Sequence, residues 1–342
     1  MAQQGDLRVL SLIASATEIV SALGLRERLV GRSHECDYPP DVRELPQATQ
    51  PRFDVHASSQ EIDRQVKALS SEARALDALG VYDMRPGALR TTRPTHIITQ
   101  SQCDVCAVSL RDVERAVARA AGCNAEIVSL EPNSLADIWE DFQRVADALG
   151  HGSAGTRLVT ETKARIEAVG EAARDLPWRP TVAAIEWIDP LMAAGNWMPE
   201  LIEVAGGRCL FGSAGQHSPW IGFDDVLRAD PDVILLSPCG FDIERTLADV
   251  PILQAEPRWS SLKAVRQEQV FVADGNQFFN RPGPRLAESA EILAEILHPD
   301  RFDFGHKGEA WVAVPQNERR AGESGTDAVT GARPCCGRAA SA

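Results

Sequence analysis

Arg8-Val9-Leu10-Ser11-Leu12-Ile13-Ala14-Ser15-Ala16-Thr17-Glu18-Ile19-Val20-Ser21-Ala22-Leu23-Gly24 holds a strand, a loop and a helix in that order. The β-rich run from Arg8 to Ile13 reads as a short buried strand, Ser15 to Thr17 as the loop, and Glu18 to Leu23 as a helix stopped by Gly24. Leu29-Val30-Gly31 starts a second strand, which leads into a loop from Ser33 to Pro40 closed by paired prolines.

The same alternation continues outward. Ile62, Val66, Leu69, Ala73, Leu76 and Leu79 recur at helical spacing over 58–80. Thr95 to Thr99 reads as a strand ending in a loop with Cys103 and Cys106, and Glu126 to Leu130 as a strand between helices over 112–121 and 135–149. Strands alternating with helices give a mainly parallel sheet with helices on its faces. The second half repeats the plan: a strand from Thr181 to Ile185, a helix from Pro199 to Ala205 stopped by Gly206-Gly207, and a strand near Leu210-Phe211. Leu89-Arg90, Pro94 and Ile97-Ile98 before Cys103 are echoed by Leu227-Arg228, Pro231 and Val233-Ile234-Leu235-Leu236 before Cys239. Between the halves, Ser153 to Leu176 carries one apolar face and reads as a single long helix. The expected organisation is α/β: two lobes, each with a mainly parallel sheet and flanking helices, joined by one long helix. The boundaries are 1–150 for the N-terminal lobe, 151–177 for the connecting helix and 178–314 for the C-terminal lobe. Residues 315–342 are too polar to fold and read as a disordered tail; the adjacent Cys335 and Cys336 there read as incidental.

Composition narrows the function. The 342 residues carry a net charge of −14, which repels phosphate backbones and anionic lipid, and no run approaches the ~20 apolar residues that span a bilayer. Eight cysteines in so long a chain do not form the dense framework of a small secreted domain. The start of the chain lacks a basic cluster and runs straight into the first strand, so a cytoplasmic location is expected, with the periplasm as the alternative. Phosphate loops of the G-x-x-x-x-G-K type, G-x-S-x-G elbows and H-E-x-x-H helices are absent from the sequence. Glu18, at a helix start, reads as a carboxylate favoured by the helix dipole.

In open parallel sheets, ligands bind outside the carboxyl ends of the strands, so two lobes face each other across one cleft. The loops there supply His34, Glu35, Cys36, Gln100, Trp187, Asn196, Phe241 and Asn276 as candidate ligand contacts. A cleft this rich in aromatic side chains suits a large, flat, partly apolar ligand.

Four sequence marks then stand in order: Ser11-Leu12-Ile13-Ala14-Ser15-Ala16-Thr17-Glu18 with Gly24; Asp37-Tyr38-Pro39-Pro40; Pro219-Trp220 followed by Val226-Leu227 and Pro231; and Phe279-x-Arg281-x-x-Pro284-Arg285. With them the chain resembles, over about residues 8–298, the ABC-transporter substrate-binding proteins whose lobes are joined by a rigid helix, in their cobalamin-binding branch. The resemblance implies a monomer that binds a corrinoid, cobalamin or a precursor, between the lobes without chemistry or a required cofactor. Ser15, Thr17, Tyr38, Trp197, Trp220, Phe278 and Arg281 would line the pocket. A ferric-siderophore or haem carrier of the same fold is the nearest alternative, and a thiol- or metal-dependent corrinoid-processing enzyme the more distant one. Exported members carry an acid on each lobe that docks to a permease; the matching positions here hold Gly87 and Asp224, which points towards intracellular handling of the ligand. His34 and Cys36 face Cys103 and Cys106, a set able to hold zinc or iron, to act as a redox pair, or to place His34 on a corrinoid cobalt. Alternatively the cysteines are small buried hydrophobes and His34 bonds locally.

Overall fold

The computed structural model describes residues 7–76, 81–85, 87–102, 110–119 and 124–315. The first lobe is built on four parallel strands in the order β2-β1-β5-β6: β1 (Val9–Ser11), β2 (Leu29–Gly31), β5 (His96–Gln100) and β6 (Glu126–Leu130). A separate antiparallel pair, β3 (Thr49–Pro51) and β4 (Tyr82–Met84), lies beside it. The helices of this lobe are α1 (Ala14–Ala22), α2 (Ser59–Leu76), α3 (Ala88–Thr92), α4 (Leu110–Arg119) and α5 (Leu135–Ala148). Ser134 and Asp137 form a reciprocal capping box that sets the start of α5.

A 22-residue helix, α6 (Gly152–Ala173), about 33 Å long at 1.5 Å per residue, leads to the second lobe. Its sheet runs β12-β11-β10-β7-β8, with β9 (Arg208–Cys209) pairing off this path with β7 (Thr181–Trp187). The strands β7, β10 (Val233–Leu236) and β11 (Val270–Ala273) are parallel, while β8 (Met192–Ala193) and β12 (Trp311–Ala313) add antiparallel edges. Helices α7 (Met198–Val204), α8 (Phe223–Ala229), α9 (Ile243–Gln254), α10 (Lys263–Arg266) and α11 (Leu286–Leu297) flank it. Among the described residues no helix is long and apolar enough to cross a membrane.

One apolar core runs through both lobes, joining Ile19 of α1, Phe142 of α5, Ile166 of α6, Leu201 of α7 and Leu293 of α11. Gly155 permits this closeness: a Cβ there would lie 2.4 Å from that of Ala146, so α5 and α6 approach at a distance only glycine allows. Each sheet packs a second, local core on its other face, around Leu10, Ile97 and Val113 in one lobe and Ile185, Ile234 and Leu262 in the other.

Two local readings are corrected. Ser15, Ala16 and Thr17 belong to α1, which begins at Ala14, and all three are buried. The short strand after Gly207 is Arg208–Cys209, two residues earlier than Leu210-Phe211, because Thr181 and Val182 pair with it there. Cys103, Cys106 and residues 316–342, with Cys335 and Cys336, lie outside the described residues.

Candidate functional site

The carboxyl ends of β1 and β2 face those of β10 and β11, and two polar seams cross between the lobes. In the first, Arg281 and Arg285 reach from the second lobe to the first. Arg285 donates through Nε to Glu18 Oε2 at 3.0 Å and through Nη2 to Glu18 Oε1 at 2.6 Å. Arg281 Nη1 donates to Asp37 Oδ1 at 2.5 Å and to Glu18 Oε1 at 3.3 Å, while its Nη2 donates to the Glu35 carbonyl and to Asn276 Oδ1. Both guanidiniums are buried, and fork-shaped pairing with carboxylates is the geometry in which a buried arginine is tolerated. Burial works against charge on Arg281, but Asp37 and Glu18 outweigh it and hold the guanidinium protonated above its ordinary range. Burial likewise pushes Asp37 up, and the hydrogen bond and charge of Arg281 reverse this, holding the carboxyl below its usual value.

The segment that aims the arginines is a π-helical turn, Gly275–Phe279, an element common at functional sites. Asp274 caps it by accepting from Gln277 N at 2.8 Å, and Asn280 Nδ2 ties it to the Ser237 and Gly275 carbonyls. A Cβ on Gly275 would stand 2.2 Å from the Pro238 carbonyl oxygen, so the close approach to the β10 loop requires glycine. Arg285 lies over Tyr38 at 4.0 Å and over Phe278 at 5.3 Å, joining rings from the two lobes through one cation.

The second seam crosses at α2. Trp187 Nε1 donates to the Ser59 carbonyl at 3.2 Å, Arg245 Nη2 to the Ala57 carbonyl at 2.8 Å, and Ser59 N to Asp249 Oδ2 at 3.1 Å. Phe241 lies between Trp187, at 5.2 Å, and the Arg245 guanidinium, at 4.2 Å. Lys67 sits 4.9 Å over the ring of Trp220, which is 54% exposed.

Near the first seam lies a crevice of about 310 Å³ lined by Arg32, His34, Glu35, Cys36, Asp37, Arg43 and Asn276. His34 Nδ1 bonds Thr49 Oγ1 at 2.8 Å, and burial, helped by Arg32 and Arg85, lowers its pKa to about 4, leaving the ring neutral. Although 37% of the Glu35 side chain stays open to solvent, the surrounding protein desolvates its carboxyl and pushes the pKa up to about 7, against the pull of Arg281 and a hydrogen bond from Tyr82.

Of the residues expected to line the pocket, Tyr38, Phe278, Arg281 and Asn276 meet at the first seam, and Trp187, Phe241 and Trp220 at the second. Others are buried or held in local turns. Trp197 is 5% exposed in the shared core, with Nε1 donating to the Phe279 carbonyl, so it braces the arginine turn from behind. Thr17 is buried, its hydroxyl within hydrogen-bond distance of both Ser11 Oγ and Cys36 Sγ. Ser15 is buried with its hydroxyl unpartnered, and Gln100 is buried at the end of β5. Asn196 forms the turn before α7 at φ +52°, its N–H donating to the Gln216 carbonyl.

The metal expectation meets a different environment at Cys36. This thiol is 1% exposed, bonded to Thr17 and Ser33, and pushed up by burial, which disfavours the thiolate that a metal or a redox exchange needs. Among the described residues no group of three or more His, Cys, Asp or Glu side chains could hold a metal ion. Glu18 and Arg285, which join the two lobes at the first seam, read from residue type alone as a helix-start carboxylate and a motif end. Lys67, Ser59, Arg245 and Asp249 of the second seam carried no motif signal.

The periplasmic binding protein family matches residues 91–276, more than half of the chain, and the chain belongs to it. An uncharacterised ABC transporter substrate-binding lipoprotein of Bacillus subtilis is 21% identical over 304 residues, covering 86% of this chain and 81% of the relative. A vitamin B12-binding protein of Vibrio cholerae is 23% identical over 292 residues, covering 85% of this chain and 88% of the relative. Among solved structures, the apo periplasmic heme-binding protein of Roseiflexus sp. RS-1 superposes with a TM-score of 0.62 at 25% identity, covering 86% of this chain and all but 1% of the other. The family's members bind substrates and do not transform them, so this chain is a binding protein of the vitamin B12, haem and siderophore type, and the enzymatic alternative falls. The cytoplasmic expectation is overturned as well: membership of a periplasmic family, with a lipoprotein relative, points to the periplasm or a membrane surface.

Proposed function

We propose that this protein captures a corrinoid, cobalamin or a precursor, between its lobes and delivers it to an ABC permease. The observation that carries the reading is the convergence of rings on the two seams: Tyr38 and Phe278 joined by Arg285, and Trp187, Phe241 and Trp220 opposite α2. Faces of this kind gain from dispersion and area burial against a flat macrocycle. The likeness to vitamin B12-binding relatives over 85% of the chain supports a corrinoid over other macrocycles.

A corrin ring with its side arms exceeds the crevice of about 310 Å³, so loading separates the seam contacts and the bound ligand replaces them. Asp224, which is exposed and paired with Arg258 at 2.7 Å, stands where one permease-docking acid is expected, and Gly87, a left-handed residue before α3, where the other is.

Tryptophan emission decides the ligand class. Titration with cyanocobalamin, cobinamide, haem and a ferric siderophore is expected to give saturable quenching with the two corrinoids; saturation by haem alone transfers the reading to a haem carrier, the class of the Roseiflexus structure.

A further inference from the structure

We propose that the crevice between the Ser33–Asp37 loop and Asn276 receives an anionic arm of the ligand, with Arg43 as the group that binds it. The inference rests on the corrinoid reading and names the arm. A complete cobalamin carries one phosphodiester, on the arm that holds its nucleotide base, whereas its rim amides are uncharged.

The crevice volume of about 310 Å³ suits an arm and not a ring, and Asp37 and Asn276 belong both to it and to the first seam. Its acids are engaged. Asp37 Oδ1 accepts from Arg281 at 2.5 Å and Oδ2 from Asn276 at 3.3 Å. Glu35 accepts a hydrogen bond from Tyr82 and has His34 Nε2 at 3.7 Å from its Oε1; burial pushes its carboxyl up to about 7, so it carries only part of a charge at neutral pH.

The cations are less fully matched. Arg43 stands on the short turn Pro40–Glu44 with 67% of its side chain exposed, and its guanidinium makes no hydrogen bond to a described residue. Its Nη2 lies 3.7 Å from Asp37 Oδ2, beyond hydrogen-bond length. Asp41, two positions earlier, is taken by Arg26 at 2.9 Å. Arg32 donates to the Ser33, His34 and Arg43 carbonyls and pairs with no carboxylate among the described residues, while Arg85 is near enough to help lower the pKa of His34. A chain of net charge −14 therefore gathers cations at one crevice, where the open guanidinium fork of Arg43 matches two oxygens of a phosphate. A haem carboxylate offers the same pair of oxygens, and the experiment separates the two sources.

The test titrates the full chain and its Arg43→Gln variant with cyanocobalamin and with dicyanocobinamide, which has the same ring and no phosphodiester, at pH 7. Arg43→Gln is expected to weaken cyanocobalamin about fivefold and to move cobinamide by less than about twofold, the size of effect an exposed charge contact supports. Raising salt from about 50 to about 500 mM is expected to narrow the preference of the wild-type chain for cyanocobalamin, a result read without the variant. Equal changes for both corrinoids, or a preference that salt leaves unaltered, overturn the inference while the corrinoid reading stands. If haem binds and neither corrinoid does, the corrinoid reading falls, and haem is compared with its dimethyl ester: a loss on Arg43→Gln confined to the free acid keeps the anion site with a carboxylate as its source, and an equal loss overturns it. Failure of every one of these ligands to bind removes both readings.

Discussion

Arg285 Nη2 donates to Glu18 Oε1 at 2.6 Å, closing a buried ion pair between residues 267 positions apart, one on each lobe. The Glu18 side chain is 2% exposed and that of Arg285 10%, so removing one partner strands the other in a medium that solvates it poorly. Glu18→Ala is expected to lower unfolding free energy by about 3–5 kcal/mol in urea titrations. Asp37→Ala, whose side chain is 21% exposed, is expected to cost less because water reaches Arg281 in its place. A Glu18→Ala protein as stable as wild type would mean the seam contributes nothing to the fold.

Two tryptophans assigned to one pocket separate in an experiment. Trp197 is in the shared core with its indole N–H satisfied, and Trp197→Ala is expected to cost about 3–5 kcal/mol of stability. Trp220 is half exposed, touched by Lys67, and Trp220→Ala is expected to change stability by less than ~0.5 kcal/mol while weakening corrinoid binding about tenfold. Thermal melts and fluorescence titrations of the two variants check both halves; equal loss of stability in both would place Trp220 in the core as well.

The buried Cys36 thiol is expected to resist alkylation in the native protein. Its pKa is raised by burial and its sulfur is occupied by Thr17 and Ser33. Incubation with iodoacetamide at pH 8 followed by peptide mass analysis should leave Cys36 unmodified until the chain is unfolded. Rapid native labelling at this position would return it to the candidates for thiol chemistry.

The periodic features were legible in the sequence because period reports burial directly. The repeated strand-loop-helix units emerged as parallel sheets, and the apolar face over 153–176 emerged as α6 with Leu158, Ile166 and Val169 inward. What period does not encode is which way a single aromatic turns or what a charge meets across a cleft. Trp197 looked like a pocket wall because it lies in a cleft-side loop; the bond from its indole to the Phe279 carbonyl, a tertiary contact, turns it inward. Glu18 looked like a helix-start acid because its partners Arg281 and Arg285 are more than 260 residues away in sequence. The π-helical turn that aims them has no sequence period of its own and was invisible for that reason.

The titration of His34 predicts an acid-labile component of stability. Burial, with Arg32 and Arg85, depresses its folded pKa to about 4, below the ordinary 6.5 of an exposed histidine. A depressed folded pKa means the stabilising contribution is complete above about pH 6.5 and disappears as pH falls through 4, since the unfolded state then binds the extra proton. Glu35 and Asp141, raised to about 7 by desolvation, have the opposite sign and lose their contribution as pH rises towards 7. Wild type is expected to lose up to about 3 kcal/mol more than His34→Gln between pH 7 and pH 4. Parallel acid-unfolding curves for the two proteins would refute the assignment.

Ligand loading is expected to part the seams without a large change of overall shape. The lobes are not joined by a bare linker: α6 packs along α5, α7 and α11, and one continuous core passes from Phe142 through Ile166 to Leu201 and Leu293. Rotating the lobes widely would shear that core, exposing apolar area at roughly 25 cal/mol per Å², whereas shifting Tyr38 and Trp220, both already exposed, uncovers little. A chain of this length has a radius of gyration of about 20 Å, and solution scattering with and without saturating corrinoid is expected to differ by less than ~1 Å. A change of several ångströms would show that α6 bends or that the shared core opens, and the two lobes would then have to be treated as independently hinged bodies.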